Sequence, residues 1–223
     1  MTNVQKKYKK ALMKAEYLLP DGIALQIFYF FAYLVARISK KVPKDTVLTK
    51  WLSNLNGTDF VPYFLDYIKK KNGPQSLCVA VYGTTDEYLL KATEKLQGQG
   101  YNIIYQQNGF SDFDWDALQH ALSEYHDTIN VLLVGRSTPT NPIQELWAAS
   151  NYAKIKNNRL IVMNVGGLLD FLAGTQKRAP LWVRKLKLEW LYRCITDPKR
   201  NFKKVKNSLA LFPYIFRYLL LKK

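Results

Sequence analysis

The stretch SLCVAVYG at residues 76–83 decides the fold, because an apolar run that ends in glycine is typical of a buried strand in a parallel sheet. Three later stretches repeat the pattern: YNIIYQQNG at 101–109, NVLLVG at 130–135 and RLIVMNVGG at 159–167. Strands that alternate with helical segments at a spacing of roughly 25–30 residues indicate βαβ units. The sequence therefore predicts an α/β fold with a parallel sheet.

Amphipathic segments surround these strands and predict the helices. The predicted helices cover residues 4–19, 23–38, 59–71, 86–97, 112–125 and 143–154. In a sheet of this class a ligand binds beyond the carboxyl ends of the strands, where each predicted strand meets a loop that carries glycine. The sequence contains neither a GxGxxG stretch nor a P-loop lysine motif, which disfavours a dinucleotide enzyme or an NTPase.

The last quarter of the chain is strongly basic and aromatic. The formal net charge is +16, and fourteen Lys or Arg accompany only two acids between Lys177 and Lys223. Aromatic and aliphatic residues alternate with these charges, as in helices that lie on an anionic membrane and bind phosphate there. We therefore expect an α/β core at 1–187 and a membrane-associating helical appendage at 188–223.

Residues 23–38, IALQIFYFFAYLVARI, form the one segment that suggests a membrane span. They are too few to cross a bilayer, and Gln26 and Arg37 interrupt them. The pattern favours a buried or half-buried helix, and a helix that contacts the membrane is the alternative. The polar N-terminus predicts no signal peptide.

Asp21 lies in a Pro-Asp-Gly turn between two predicted helices. The pattern favours a structural carboxylate that caps the helix at 23–38. A carboxylate in such a loop is also suited to act as a general base. Thr58 and Asp59 are candidates for the cap of the helix at 59–71.

Asp112, Asp114 and Asp116 form two Asp-x-Asp pairs, a pattern that binds a metal and nucleotide-sugar phosphates in many sugar transferases. Capping of the helix that follows explains these acids better. His120 and His126 are six residues apart and are poorly spaced for a shared metal. The residues therefore predict no metal site.

Gln144 and Glu145 stand at the start of a predicted helix after the third strand. Backbone N–H groups at such a helix start attract anions, so a substrate diphosphate is one interpretation. Ordinary helix initiation is the other, with the Glu145 carboxylate complementing the helix dipole. The residues alone favour neither.

Five stretches together resemble the WecG/TagA/CpsF family of glycosyltransferases. They are PDGIAL (20–25), LNGTDFVPYFLDYI (55–68), Gln144-Glu145, GGLLDFLAGTQKRAP (166–180) and LEWLYRCITDPKR (188–200). The order FLAG, KRAP, LEWLYR and DPKR is the most specific part of a resemblance that runs, with gaps, from about residue 8 to 205. It implies a Rossmann-like parallel sheet flanked by helices, with a basic aromatic helical C-terminal appendage.

The resemblance also implies an activity. A family member is an inverting transferase that moves a sugar, of N-acetylmannosamine type or another hexose, from a UDP-sugar to a polyprenyl-diphosphate-linked saccharide in cell-surface polysaccharide synthesis. It works as a peripheral protein at the cytoplasmic face of the membrane, and the family is thought to need no metal. We expect the UDP-sugar, the lipid-diphosphate-linked acceptor and an anionic membrane surface as partners, with no cofactor and no nucleic acid.

Individual roles follow by position from the same resemblance. Asp21 resembles the family's catalytic base, which would deprotonate the acceptor hydroxyl. The donor pocket is represented by Gln144, Glu145, Gly166, Gly167 and Asp170. The basic side chains that would bind diphosphate are Arg193, Arg200 and Lys203. Without a metal, a UDP leaving group needs fixed positive charge, which guanidinium groups supply.

The chain departs from the family pattern at three places. A strand that ends in Thr and Asn usually precedes the first helix, and only eighteen residues precede Leu19, so an N-terminal strand is apparently missing. Asn54 stands where an Arg is expected, and the loop GRSTPTNPIQE at 135–145 is longer than usual. These departures motivate the alternative of a non-catalytic membrane-bound binding protein of the same pathway that retained the scaffold.

Overall fold

The computed structural model describes residues 3–38, 55–125, 127–136, 143–176, 178–186 and 188–198, together with Pro213. Four parallel strands form one sheet in the order β2-β1-β3-β4. They are β1 (Leu77–Gly83), β2 (Asn102–Gln107), β3 (Ile129–Gly135) and β4 (Leu160–Asn164). The predicted α/β fold, a Rossmann-like parallel sheet flanked by helices, is confirmed.

Ten α-helices accompany the sheet within the described residues. They are α1 (Asn3–Leu12), α2 (Ile23–Ile38), α3 (Gly57–Asn72), α4 (Asp86–Gly98), α5 (Trp115–Ser123), α6 (Ile143–Ser150), α7 (Tyr152–Asn157), α8 (Leu168–Leu172), α9 (Leu181–Lys185) and α10 (Glu189–Thr196). None of these helices is both long and apolar enough to cross a membrane.

Side chains from opposite faces of the sheet enter two apolar clusters. Val79 and Val81 of β1 contribute to the cluster that includes residues of α3, α4 and α8. Ala80 and Tyr82 contribute to the other, which includes Leu118 of α5. All seven residues of β1 are buried, which explains the continuous apolar run of its sequence. Each fully buried Val or Leu contributes roughly 1.5–3 kcal/mol, so burial in these two clusters strongly stabilises the sheet.

Several predicted bounds were wrong. The helix expected at 4–19 ends at Leu12, and the chain continues through turns in which the N–H of Lys14 donates to the carbonyl oxygen of Ala11 at 3.1 Å. The helix expected at 143–154 divides at Asn151, whose side-chain Nδ2 donates to the Trp147 carbonyl oxygen at 2.9 Å. An asparagine that bonds to the preceding turn in this way competes with regular helix geometry.

The chain divides into two compact units. Unit 1 is built from the described residues of Met1–Leu18 and Gly57–Arg178 and contains the whole sheet. Unit 2 is built from the described residues of Leu19–Asn56 and Ala179–Lys223, and it includes α2, α9 and α10. The domain boundary expected between residues 187 and 188 stays a prediction.

Candidate functional site

The carboxyl edge of the sheet in unit 1 is held together by close backbone contacts. A Cβ atom on Gly83 would meet the carbonyl oxygen of Gly135 at 2.5 Å, and one on Gly109 would meet the Cα of Gly83 at 2.9 Å. The N–H of Thr84 donates to the Gly135 carbonyl at 3.3 Å, and the N–H of Gly109 donates to the Thr84 carbonyl at 2.9 Å. The glycines therefore allow the ends of β1 and β3 and the loop after β2 to lie against one another. This is the edge at which sheets of this class bind ligands.

Gln144 connects the start of α6 to the loop that follows β4. Its side chain is buried, and its Oε1 accepts a hydrogen bond from the N–H of Gly166 at 3.2 Å. Its Nε2 donates to Oε1 of Glu145 at 2.9 Å. The structure thus brings together three of the five residues expected in the donor pocket. Because both ends of the Gln144 amide are used internally, its observed contacts position Gly166 and Glu145.

Glu145 keeps one buried oxygen for a further partner. Within the described residues, Oε2 of Glu145 has no hydrogen-bond donor. Burial raises the pKa of the Tyr8 hydroxyl, and the nearby Glu145 carboxylate raises it further. The sequence analysis did not single out Tyr8, since its proximity to Glu145 depends on how α1 packs against α6. Lys14 also marks that packing, because its Nζ donates to the Ala149 carbonyl at 3.2 Å.

Gly167 and Asp170 belong to the short helix α8. Gly167 is its N-cap residue and has no side chain with which to cap it. The Asp170 backbone carbonyl accepts hydrogen bonds from the N–H of Thr175 at 3.0 Å and from its Oγ1 at 2.9 Å. Gly167 follows Gly166 directly, so it shares the loop that Gln144 holds. The roles of Gly167 and Asp170 in donor binding stay predictions.

The first turn of α3 is tied to the loop before α9 by an ion pair. The Arg178 Nη2 lies 2.5 Å from Oδ1 of Asp59 and donates to Oγ1 of Thr58 at 3.3 Å. A Cβ atom on Gly57 would lie 3.3 Å from the Val165 carbonyl oxygen, so this turn approaches the loop after β4 closely. Helix α3 begins at Gly57, so its cap position is Asn56, and the expectation that Thr58 or Asp59 caps it was wrong by two or three residues.

Asp21 of unit 2 lies beside two ionisable residues of α10. Burial raises the pKa of the Asp21 carboxyl, the positive charge of Arg193 lowers it, and the negative charge of Glu189 raises it. Arg193 and Glu189 also pair with each other, with Nη2 and Oε1 at 2.5 Å. The structure therefore brings together Asp21 and Arg193, two of the residues to which the resemblance assigns roles.

The net pKa of Asp21 is raised even though the residue remains exposed. Surrounding protein atoms withdraw water from the charged form, and this effect outweighs the attraction of Arg193. In the first turn of α2, the N–H groups of Leu25 and Gln26 donate to the Gly22 carbonyl at 3.2 and 3.4 Å. Gly22 rather than Asp21 therefore holds the cap position of that helix. A carboxylate with a raised pKa is a stronger base than an ordinary surface Asp, as proton abstraction requires.

The glycosyl transferase family WecG/TagA/CpsF matches the chain over residues 1–223. The chain belongs to this family. Curated relatives from Staphylococcus aureus strains NCTC 8325 / PS 47, COL and N315 are each 31% identical over 137 residues, which cover 61% of this chain and 50% of the relative. Each is named N-acetylglucosaminyldiphosphoundecaprenol N-acetyl-beta-D-mannosaminyltransferase, and the chain spans about half of its length.

In this WecG/TagA/CpsF family member, one acid of the Asp-x-Asp pairs is a helix cap. Oδ1 of Asp114 accepts a hydrogen bond from the N–H of Ala117 at 2.9 Å, so Asp114 is the N-cap of α5 and the capping interpretation is confirmed. Across the described residues, no three His, Cys, Asp or Glu side chains gather in a group that could hold a metal ion. His126 lies outside the described residues.

Helices α9 and α10 expose large apolar side chains alongside basic ones. Trp182 of α9 is 65% exposed and Ile195 of α10 is 73% exposed, whereas the Arg193 side chain is half-buried against Glu189. Exposed aromatic and aliphatic groups beside basic residues are typical of a surface that contacts lipid. Arg200 and Lys203, the other two expected diphosphate ligands, lie outside the described residues.

Proposed function

We propose that this chain is an inverting glycosyltransferase that transfers a sugar from a UDP-sugar to a polyprenyl-diphosphate-linked saccharide in cell-surface polysaccharide synthesis. Membership of the WecG/TagA/CpsF family supports the reaction class. The names of the Staphylococcus aureus relatives support N-acetylmannosamine as the donor sugar and GlcNAc-diphosphoundecaprenol as the acceptor. The observation that carries the proposal is the position of the Asp21 carboxyl beside Arg193 and Glu189 of α10.

In the proposed reaction, Asp21 is the general base. Its carboxylate accepts the proton of the acceptor hydroxyl as the hydroxyl oxygen attacks the anomeric carbon of the donor sugar. The bond from that carbon to the β-phosphate oxygen breaks, and UDP leaves with the bonding electrons. Attack from the face opposite to the leaving group inverts the anomeric centre. Such a base contributes roughly 10²–10⁴-fold to the rate.

Fixed positive charge in the C-terminal region would stabilise diphosphate without a metal. Arg193 stands beside Asp21 in unit 2, and Arg200 and Lys203 follow it in the sequence. Guanidinium groups donate to phosphate oxygens in pairs, and developing negative charge strengthens these bonds in the transition state. We propose that Gln144 holds the Gly166–Gly167 loop and Glu145 in the arrangement that the donor requires, and that Asp170 completes the donor pocket.

The exposed aromatic residues of α9 and α10 support a peripheral location on an anionic membrane. We propose that residues 188–223 act as the membrane-associating appendage and that the enzyme works at the cytoplasmic face, where a nucleotide sugar is available. In this arrangement the membrane would present the acceptor, and the basic residues would hold the protein close to anionic lipid headgroups.

A transfer assay tests the proposal. Purified chain is incubated with radiolabelled UDP-N-acetylmannosamine, or with other UDP-hexoses, and with GlcNAc linked to a short polyprenyl diphosphate. We expect label to enter the organic-soluble product with at least one donor. Binding of UDP without transfer from any donor would favour the alternative of a non-catalytic binding protein. Absence of both UDP binding and transfer would overturn the proposal and that alternative together.

A further inference from the structure

Arg136 stands where the sheet of unit 1 changes its direction of winding. It directly follows Gly135, the last residue of β3. Strands β1 and β3 are neighbours at the centre of the sheet. From β1 the chain continues outward to β2 at one edge, and from β3 it continues outward to β4 at the opposite edge. In open parallel sheets the crevice for a ligand lies between the carboxyl ends of two such strands. The sequence pattern did not single out Arg136, which begins the loop that departs from the family pattern.

The guanidinium of Arg136 is held in a defined orientation. Its Nε donates to the Gly109 carbonyl oxygen at 2.6 Å. Its Cζ lies 4.8 Å from the ring centroid of Tyr82, a fully buried residue whose hydroxyl donates to the Ser111 carbonyl at 2.9 Å. A planar cation that is bonded at Nε and lies over the face of a buried ring retains little rotational freedom. The orientation of its two Nη groups is thus fixed before any ligand binds.

Arg136 differs from two other half-buried arginines, Arg178 and Arg193, in its lack of an acidic partner among the described residues. Arg178 pairs with Asp59, and Arg193 pairs with Glu189. Within the part of the chain that the structure describes, no carboxylate lies within ion-pair distance of Arg136, and its Nη groups have no hydrogen-bond acceptor. Burial raises the pKa of the Tyr82 hydroxyl; the positive charge of Arg136 lowers it, and the negative charge of Asp112 raises it. A preoriented guanidinium with unused donors has the chemistry of a phosphate ligand.

We propose that Arg136 binds a diphosphate ester through its Nη groups, and that this ligand is the diphosphate of the nucleotide-sugar donor. The position at the carboxyl edge of the sheet, rather than in the exposed apolar helices of unit 2, assigns it to the donor instead of the lipid acceptor. This inference rests on the proposed function, and it adds a donor-binding residue that the family resemblance did not supply. The positive charge of the guanidinium would offset the negative charge of the leaving UDP.

Titration calorimetry with three ligands and three variants of the full chain tests this assignment. The ligands are UDP, uridine and farnesyl diphosphate. Arg136→Gln removes the charge, and Arg136→Lys keeps the charge but loses the planar group. Arg159→Gln is the matched control, because this exposed arginine precedes β4 at the opposite, amino edge of the same sheet.

We expect Arg136→Gln to weaken UDP binding roughly 10- to 100-fold, as loss of hydrogen bonds to a charged group does, while uridine binding stays within about 2-fold. Arg136→Lys should give an intermediate loss, and Arg159→Gln should leave all affinities unchanged. Melting curves without ligand check that the variants are folded. If Arg136→Gln is unfolded, the comparison of Arg136→Lys with Arg159→Lys replaces it.

The remaining outcomes would each overturn the assignment of Arg136 to the donor diphosphate. Equal losses for UDP and uridine would mean that Arg136 only positions the loop at Gly109. A loss confined to farnesyl diphosphate would assign the residue to the acceptor. Unchanged UDP binding in Arg136→Gln, with normal binding by the parent chain, would remove Arg136 alone and leave the proposed function intact. A parent chain that binds no UDP would remove both.

Discussion

The carboxyl edge of the sheet in unit 1 and the surroundings of Asp21 in unit 2 are stabilised by different forces. At the sheet edge, glycine backbones pack to distances that no side chain would allow, and a buried amide joins the start of α6 to the loop after β4. Around Asp21, three ionisable residues act on one another while apolar side chains of the same helices remain exposed. The first region fixes shape, and the second holds a carboxyl group whose charge depends on pH. A transferase needs both, because donor binding requires preorganisation and proton transfer requires a group that can titrate.

The largest effect is expected from Asp21→Asn in unit 2. The amide cannot accept the acceptor's proton, so the transfer rate should fall roughly 10²–10⁴-fold while UDP affinity changes little. The melting temperature should stay equal or rise, because the charged form of Asp21 is disfavoured in the folded state. Kinetics, calorimetry and thermal melting measure the three quantities. Asp116→Asn, on the exposed side of α5, is the control. Full activity of Asp21→Asn would exclude Asp21 as the base.

The next effect is a loss of stability from Gly83→Ala at the sheet edge. Its Cβ would meet the Gly135 backbone at 2.5 Å, so β1 and β3 must separate locally, at a cost of roughly 2–4 kcal/mol in the free energy of unfolding. Urea denaturation measures it. Gly98→Ala is the matched control, because nothing lies within 4 Å of a Cβ at this last residue of α4. There the substitution should be neutral or stabilising. Equal stability of both variants would show that the edge is not closely packed.

A smaller effect should follow from Gln144→Ala, which also lies in unit 1. The variant leaves the N–H of Gly166 and the Glu145 carboxylate without their observed partner, which costs roughly 1–3 kcal/mol. UDP affinity should fall because the Gly166–Gly167 loop is no longer held. Gln97→Ala, on the exposed side of α4, should change neither quantity. If the Gln144→Ala variant is less stable but binds UDP with normal affinity, Gln144 has a role in folding only.

The smallest effect should be a displaced pH profile in Glu189→Gln. Glu189 raises the pKa of Asp21 and neutralises Arg193, so its removal leaves the lowering effect of Arg193 less opposed. The activity of a base falls as the pH drops through its pKa, so the acid limb of the transfer rate should move to lower pH. Glu87→Gln removes a similar i,i+4 ion pair, that with Lys91 on α4, and should not move the limb. An unmoved limb in Glu189→Gln would remove Glu189 from the control of Asp21.

The sequence predicted the sheet well and the contacts between distant residues poorly. The apolar runs that end in glycine identified all four strands. The signal is clearest for β1, because a strand buried on both faces needs apolar residues at every position. The C-terminal motifs indicated the family through their order along the chain alone. By contrast, the end of α1 at Leu12 and the division of α6 from α7 depend on hydrogen bonds that no periodicity encodes.

The candidate site shows the same division. The resemblance singled out Asp21, Gln144 and Arg193 by position, but neither the Gly166 contact of Gln144 nor the proximity of Asp21 to α10 can be read from spacing. Tyr8 and Arg136 were missed altogether. Their surroundings come from α6 and from the loop after β2, which are far from them in sequence.

The α/β class, the family and the concentration of charge at the C-terminus were determined by the linear chain, because apolar periodicity, ordered motifs and composition are properties of sequence. Tertiary structure decided which charges act on Asp21, where the Gln144 amide bonds, and that the Arg136 guanidinium stands oriented at the sheet edge without an acidic partner in the described residues. The physical reason is distance. Electrostatic and hydrogen-bond energies depend on separations of a few ångströms between atoms, and folding sets those separations for residues that are far apart in sequence.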